Sequence, residues 1–161
     1  MSQNPASAHG NNHQFTALSS NAPKQDFVTM RIADQLFGIE VLGVQDILKY
    51  QHVTTVPLAP PEVYGLLNLR GRIVTIIDTR KRLGLTAAAE GSKPMIVVVE
   101  HNHEPFGLLV DNVGEVLRLP ESDFETAPSN LSQNWQSVSL GVYMLSDELL
   151  IILDVQRLLL F

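Results

Sequence analysis

Cysteine is absent from the 161 residues. That excludes a disulfide framework, thiolate metal ligation and thiol nucleophiles, and it fits a reducing compartment. Aromatic residues are scarce at 6%, and charged residues make up 17%. No apolar run approaches the roughly 20 residues that a bilayer-spanning helix needs. The first residues lack a basic stretch followed by an apolar one, so no secretory signal is expected. Positive charge is in the minority: the net charge of −6 argues against broad binding to nucleic acid or anionic membrane. No Gly-x-Gly-x-x-Gly, P-loop or Gly-x-Ser-x-Gly elbow occurs. His101 and His103, in His101-Asn102-His103, read either as metal ligands on one strand face or as a solvated hairpin tip. With no third ligand nearby in sequence, the hairpin tip is favoured. His52 stands alone, and Asp46, Asp78, Asp111 and Glu115 have no spacing that demands a carboxylate pair. Neither catalysis nor a cofactor nor a metal is therefore expected. A carboxylate-dependent enzyme on a β-barrel is the remote alternative.

What is present is apolar residues, 45% of the chain, enough for a packed core in one domain or two small ones sharing a core. Residues 1–25 are polar, rich in Asn, Ser, Gln and Ala, and are expected to be a disordered tail. His9 and His13 lie in it. From Asp26 onward the pattern is β. Phe27–Ile32 and Leu36–Ile39 read as strands around an Asp34-Gln35 turn. Gly43–Leu48 is too short to separate a helical from a strand period. The stretch Pro57-Leu58-Ala59-Pro60-Pro61 must be irregular. Ile73–Ile77 reads as a fully buried strand, Thr79–Leu83 as a short helical turn, Thr86–Lys93 as a loop and Met95–Glu100 as another strand.

The chain then repeats itself. Phe37–Leu48 aligns without gaps with Phe106–Leu117, and Gly65–Asp78 with Gly141–Asp154. Two similar β units are expected, one near residues 26–85 and one near 93–155, with a short C-terminal helix near 154–160. Short strands between Gly and Pro turns favour barrels over an open sheet. Positions that agree in both copies point to structural duty: Phe37/Phe106, Gly38/Gly107, Gly65/Gly141 and Asp78/Asp154. Asp at a strand end commonly bonds nearby backbone, so Asp78 and Asp154 are expected to cap or turn. Positions that differ are free of that shared demand. Asn68 faces Met144 and Arg70 faces Ser146, which makes Arg70 a candidate functional residue. Arg70, Arg72, Arg80, Lys81 and Arg82 concentrate five of the eleven basic residues in one short segment. They read either as a solvated rim or as a local positive patch for an acidic protein partner.

The segment Gly65-Leu66-Leu67-Asn68-Leu69-Arg70-Gly71, followed by an apolar strand ending on Asp78, closely resembles the signature of the CheW family of chemotaxis coupling proteins. Phe37-Gly38-Ile39, Val44-Gln45-Asp46-Ile47, Val56-Pro57-Leu58-Ala59-Pro60 and Phe106–Asp111 extend the resemblance over about residues 26–159. The chain carries no kinase or receiver segment, which favours the stand-alone coupling form over related domains of larger proteins. The resemblance implies a mostly β fold: two SH3-like five-stranded β-barrel subdomains on a shared hydrophobic core, with short helices. It implies a cytoplasmic, non-catalytic adaptor recruited to membrane-associated receptor arrays without membrane insertion. Its implied partners are the cytoplasmic hairpin tip of chemoreceptors and the regulatory domain of the histidine kinase CheA. An adaptor of a non-chemotactic kinase array, such as a twitching-pilus system, is the nearest alternative. Carried over by motif, the receptor groove comprises Val44, Asp46, Ile47 and Arg70, with Gly65, Asn68, Gly71 and Asp78 as turn and motif residues. Arg70 is expected to be held by a carboxylate. Asp46 is one methylene shorter than the Glu frequent in relatives, so reach decides whether the two pair directly.

Overall fold

Among the described residues the apolar pattern of this chain resolves into ten strands in two sheets. A computed structural model describes residues 22–161. The strands are β1 Lys24–Ile32, β2 Gln35–Glu40, β3 Val44–Lys49, β4 Val63–Leu69, β5 Arg72–Ile77, β6 Met95–His101, β7 Glu104–Val110, β8 Asn112–Pro120, β9 Ser139–Met144 and β10 Leu149–Leu153. Among the described residues three short α-helices accompany them: α1 Thr79–Arg82, α2 Gln133–Val138 and α3 Val155–Leu158. β1 begins two residues before the expected Asp26, since Lys24 and Gln25 pair with Pro120 and Leu119 of β8. Residues 1–21 of the expected tail, with His9 and His13, lie outside the described residues. Gly43–Leu48, ambiguous in sequence, is strand from Val44 onward, because β6 offers it a ladder.

One sheet runs β8-β1-β2-β10-β9 and the other β3-β6-β7-β5-β4. The expected segmentation at 26–85 and 93–155 does not coincide with these sheets. Strands β3 to β7 form one sheet from a continuous stretch, and the other takes β1 and β2 from before it and β8 to β10 from after it. The two parallel pairings show why. Gly38 lies opposite Ile152, and its repeat partner Gly107 lies opposite Ile76, the repeat partner of Ile152. Each copy's first hairpin thus pairs with the other copy's last strand. Exchange between duplicated units preserves every local contact, so the repeat pattern does not reveal it.

Most central strands are buried on both faces, which explains their continuous apolar runs. In β10, Ile151 and Leu153 enter a core shared by both sheets, while Leu150 and Ile152 enter a core with Phe27, Leu36 and Tyr143. In β6, Val97 and Val99 face the shared core, and Ile96 and Val98 join Val53, Leu67, Val74 and Ile76. The units are SH3-like, but their hydrogen-bond ladders stay open: β8 and β9 end one sheet, β3 and β4 the other. An isolated bridge covers one edge of each, Thr54 to Leu66 on β4 and Glu125 to Val142 on β9. Gly65 and Gly141 sit beside these bridges. A Cβ on Gly65 would strike the Thr54 carbonyl oxygen, and one on Gly141 the Phe124 ring. Close backbone approach accounts for glycine at both positions.

Candidate partner-binding site

The β4–β5 connection is a two-residue hairpin. Arg70 and Gly71 both have positive φ, 54° and 84°, the signature of the tight turn whose twist matches its strands. The Asn68 side-chain oxygen accepts a hydrogen bond from the Gly71 backbone N–H at 3.0 Å. This Asx-type contact fixes the turn from its first strand and holds Arg70 at the tip. Asp78, at the far end of β5, accepts from the Lys81 N–H at 3.2 Å and caps α1. Its repeat partner Asp154 caps α3 in the same way, through the Gln156 and Arg157 N–H groups. Gly65, Asn68, Gly71 and Asp78 are therefore all backbone devices.

Arg70 reaches across to β3. Its guanidinium lies 3.3 Å from the Asp46 carboxylate, so the shorter acid spans the gap. This contact joins two strands that are opposite edges of the same sheet. It brings the edges together where the backbone ladder leaves them open. The Arg70 side chain is 78% exposed and that of Asp46 29%, so the pair contributes no more than about 1 kcal/mol. Its consequence is orientation rather than stability. Asp46 also accepts from the Ile47 N–H at 2.9 Å, which restricts the carboxylate to the side facing Arg70.

A β-bulge sorts the remaining expected residues. Val44 lies opposite Val99 and Ile47 opposite Val97, whereas Asp46 lies opposite Val98, with Gln45 as the extra residue. Directly paired residues share a face. Val44 and Ile47 therefore lie on the face of the shared core, and Asp46 lies on the opposite face. Val44 packs partly buried against that core, and Ile47 is more open to solvent. The structure brings Asp46 and Arg70 together and places Val44 and Ile47 on the other side of the same edge strand.

Between β3 and the hairpin is a cleft of about 150 Å³. Gln45 and Asp46 line one side, Arg70 and Arg72 the other, with Val74 and Val98 as apolar lining. Gln45 donates through its amide nitrogen to Glu100 at 2.8 Å, extending the β3 wall to the tip of β6. Gln45, Arg72 and Val98 were not singled out as groove residues by the motif. In the sequence Arg72 stands out only within the basic cluster of Arg70, Arg72, Arg80, Lys81 and Arg82, as part of a candidate positive patch.

The basic cluster is not one surface. Arg80 binds Asp111 at 2.7 Å and donates to the Thr86 carbonyl at 2.8 Å. Arg82 donates to the carbonyls of Arg157, Leu158 and Leu160 at the end of α3. These two are structural, which leaves Arg70 and Arg72 at the hairpin and the exposed Lys81 apart from them on α1. His101 and Glu104 flank the turn formed by Asn102 and His103, both with positive φ, so the histidine pair sits at a hairpin tip. Among the described residues no cluster of three or more His, Asp or Glu has metal-holding geometry. No described helix is long and apolar enough to cross a membrane.

A family model described as a CheW-like domain matches residues 26–160. Chemotaxis protein CheW of Helicobacter pylori is 32% identical over 133 residues, covering 83% of this chain and 80% of the relative. Chemotaxis protein CheW of Treponema pallidum is 28% identical over 150 residues, covering 91% and 88%. The crystal structure of the scaffolding protein TtCheW from Thermoanaerobacter tengcongensis superposes with a TM-score of 0.78 at 27% identity, covering 86% of this chain and 94% of that one. The match of sequence and fold across nearly all of the described residues establishes that the chain belongs to the family of CheW-like domains, as a scaffold and not an enzyme.

Proposed function

We propose that the protein is a chemotaxis adaptor that couples chemoreceptors to the histidine kinase CheA through protein–protein contacts alone. It works in the cytoplasm and is recruited to receptor arrays at the membrane. The receptor's cytoplasmic hairpin tip docks on β3 and the β4–β5 hairpin, and the kinase contributes its regulatory domain. The observation that carries this reading is Arg70, fixed at a strained turn tip, held by Asp46 and open to solvent, in a chain of the CheW-like family. A side chain positioned that way contributes little to the fold and is oriented for an external helix. Val44 and Ile47 supply the apolar flank on the other face of the edge strand. Signal passes when ligand-dependent receptor packing shifts the kinase between states, with the adaptor making different contacts in each.

Calorimetric titration tests the reading in two steps. The protein is first titrated into the isolated regulatory domain of a CheA kinase from the same cell, and saturable one-to-one binding is expected. It is then titrated with a soluble receptor hairpin fragment. Arg70→Glu is expected to weaken receptor binding by about 1.5–3 kcal/mol with the fold intact. A double-mutant cycle with Asp46→Ala should give a coupling above about 0.5 kcal/mol. Absence of kinase binding with both proteins folded would sink the coupling role. Unchanged receptor affinity in a folded Arg70→Glu protein would remove Arg70 from the site.

A further inference from the structure

The repeat turns the cleft into a controlled comparison within one molecule. In the second copy, the position equivalent to Arg72 is Glu148, at the start of the β9–β10 hairpin's second half. Glu148 is paired: Arg31 at the end of β1 donates to it at 2.8 Å. Arg31 belongs to the first copy, and its repeat partner in the second is Glu100, by the same register that aligns the Ala33-Asp34 turn with the Asn102-His103 turn. The sheet of β3 to β7 therefore carries the same two opposite charges in reversed order, on the two equivalent hairpins. There the pair does not form. Glu100 takes its hydrogen bond from Gln45 instead, and Arg72 makes no ion pair or side-chain hydrogen bond among the described residues. Residues 1–21 contain neither Asp nor Glu, so that stretch supplies no side-chain carboxylate for it either.

Arg72 is exposed and lines the cleft next to an arginine whose charge is already met. The site thus presents one compensated cation, one uncompensated cation and an apolar lining of Val74 and Val98. On a chain of net charge −6, this is a local positive feature that the whole-molecule charge opposes. Such a feature selects partners by charge more than it holds them. We infer that Arg72 is a specificity residue of the cleft, and that the docked receptor helix presents to it an acidic side chain, Asp or Glu, beside an apolar one. The inference rests on the receptor-docking reading above. Arg70 positions the helix, and Arg72 reads its charge. Arginine suits the task, since its planar fork accepts a carboxylate through two parallel bonds.

The test titrates wild type, Arg72→Glu and Arg72→Lys with the soluble receptor hairpin fragment, at low salt and at about 0.3 M salt, where exposed charges are screened beyond about 6 Å. Arg72 is the first residue of β5 and pairs with Leu69, so the ladder survives both substitutions, and circular dichroism checks this. Arg72→Glu is expected to lose at least about tenfold in affinity at low salt, with Arg72→Lys within about threefold of wild type. Wild-type affinity should fall more steeply with salt than that of Arg72→Glu. One acidic-to-Lys substitution in the receptor fragment should restore binding to Arg72→Glu. Wild-type affinity of Arg72→Glu at both salts, failure of every receptor charge reversal to restore it, or a loss confined to kinase binding would each overturn the inference. If wild type itself does not bind the fragment, the receptor-docking reading falls first, which separates the two failures.

Discussion

Arg70 occupies a left-handed conformation that costs an ordinary L-residue about 1–2 kcal/mol. Asn tolerates this region best among non-glycine residues, and Asn before Gly is the preferred pair for such hairpins. Arg70→Asn is therefore expected to raise unfolding stability, by up to about 1 kcal/mol in urea denaturation, while weakening receptor binding. A drop in stability would show that the Asp46 contact outweighs the turn strain. At the paired hairpin of the other sheet, the hydrogen bond from Arg31 holds the Glu148 carboxyl below its usual range and raises the Arg31 guanidinium. With its folded value depressed, Glu148 adds stability above the unfolded carboxylate range near about pH 4.3, and loses it as pH falls through the lower folded value. Acid unfolding of Glu148→Gln should consequently show a shallower loss of stability below about pH 5 than wild type. Identical acid profiles would show that the pair does not persist in solution.

Among the elements, α1 carries the main contact between sequence halves outside the sheets. It is one turn long, too short to be stable alone. Its N-terminus is capped by Asp78, and its last residue, Arg82, donates to three carbonyls at the end of α3 and to Asn134 of α2. Trp135 of α2 donates its ring N–H to the Leu83 carbonyl at 3.0 Å and packs edge-on against Phe37. Helix C-terminal carbonyls have no partners within the helix, so a cation there meets both hydrogen-bond demand and dipole. Arg82→Met should cost about 2–3 kcal/mol in chemical denaturation. The neighbouring Lys81→Met, whose side chain has no partner among the described residues, should stay within about 0.5 kcal/mol. Equal effects of the two would deny Arg82 its clamping role.

On the scale of the molecule, one sheet is threaded inside the other. The stretch Thr86–Lys93 lies between β5 and β6, inside the continuous β3–β7 unit. Cutting the chain there separates β3–β5 from β6 and β7, and also β1 and β2 from β8 to β10. Neither fragment retains a complete sheet. Each is expected to be unfolded alone by far-UV circular dichroism, and mixing them should restore the native spectrum. A fragment of residues 22–88 that folded by itself would contradict the exchanged pairing. The intact protein should unfold in one transition, with Trp135 fluorescence and circular dichroism coinciding, because both sheets share one core.

Local chemistry made much of this molecule legible in the sequence. Gly71 after Asn68 and Arg70 wrote a hairpin, Asp78 and Asp154 wrote caps, and the gapless repeat wrote two equivalent β units. The unequal pair Arg70 and Ser146 singled out the residue that the structure places at the cleft. These features depend on residues a few positions apart, where backbone preference decides. Three others required the tertiary structure. Which copy supplied each strand was hidden, because duplicated units offer identical partners. The bulge at Gln45, which turns Asp46 toward Arg70 and away from Val44 and Ile47, depends on the ladder with β6. The fate of two of the five clustered cations was set by distant carbonyls and carboxylates: Asp111 took Arg80, and the end of α3 took Arg82. Charge in a sequence is a count, and only a fold determines which charges are left for a partner.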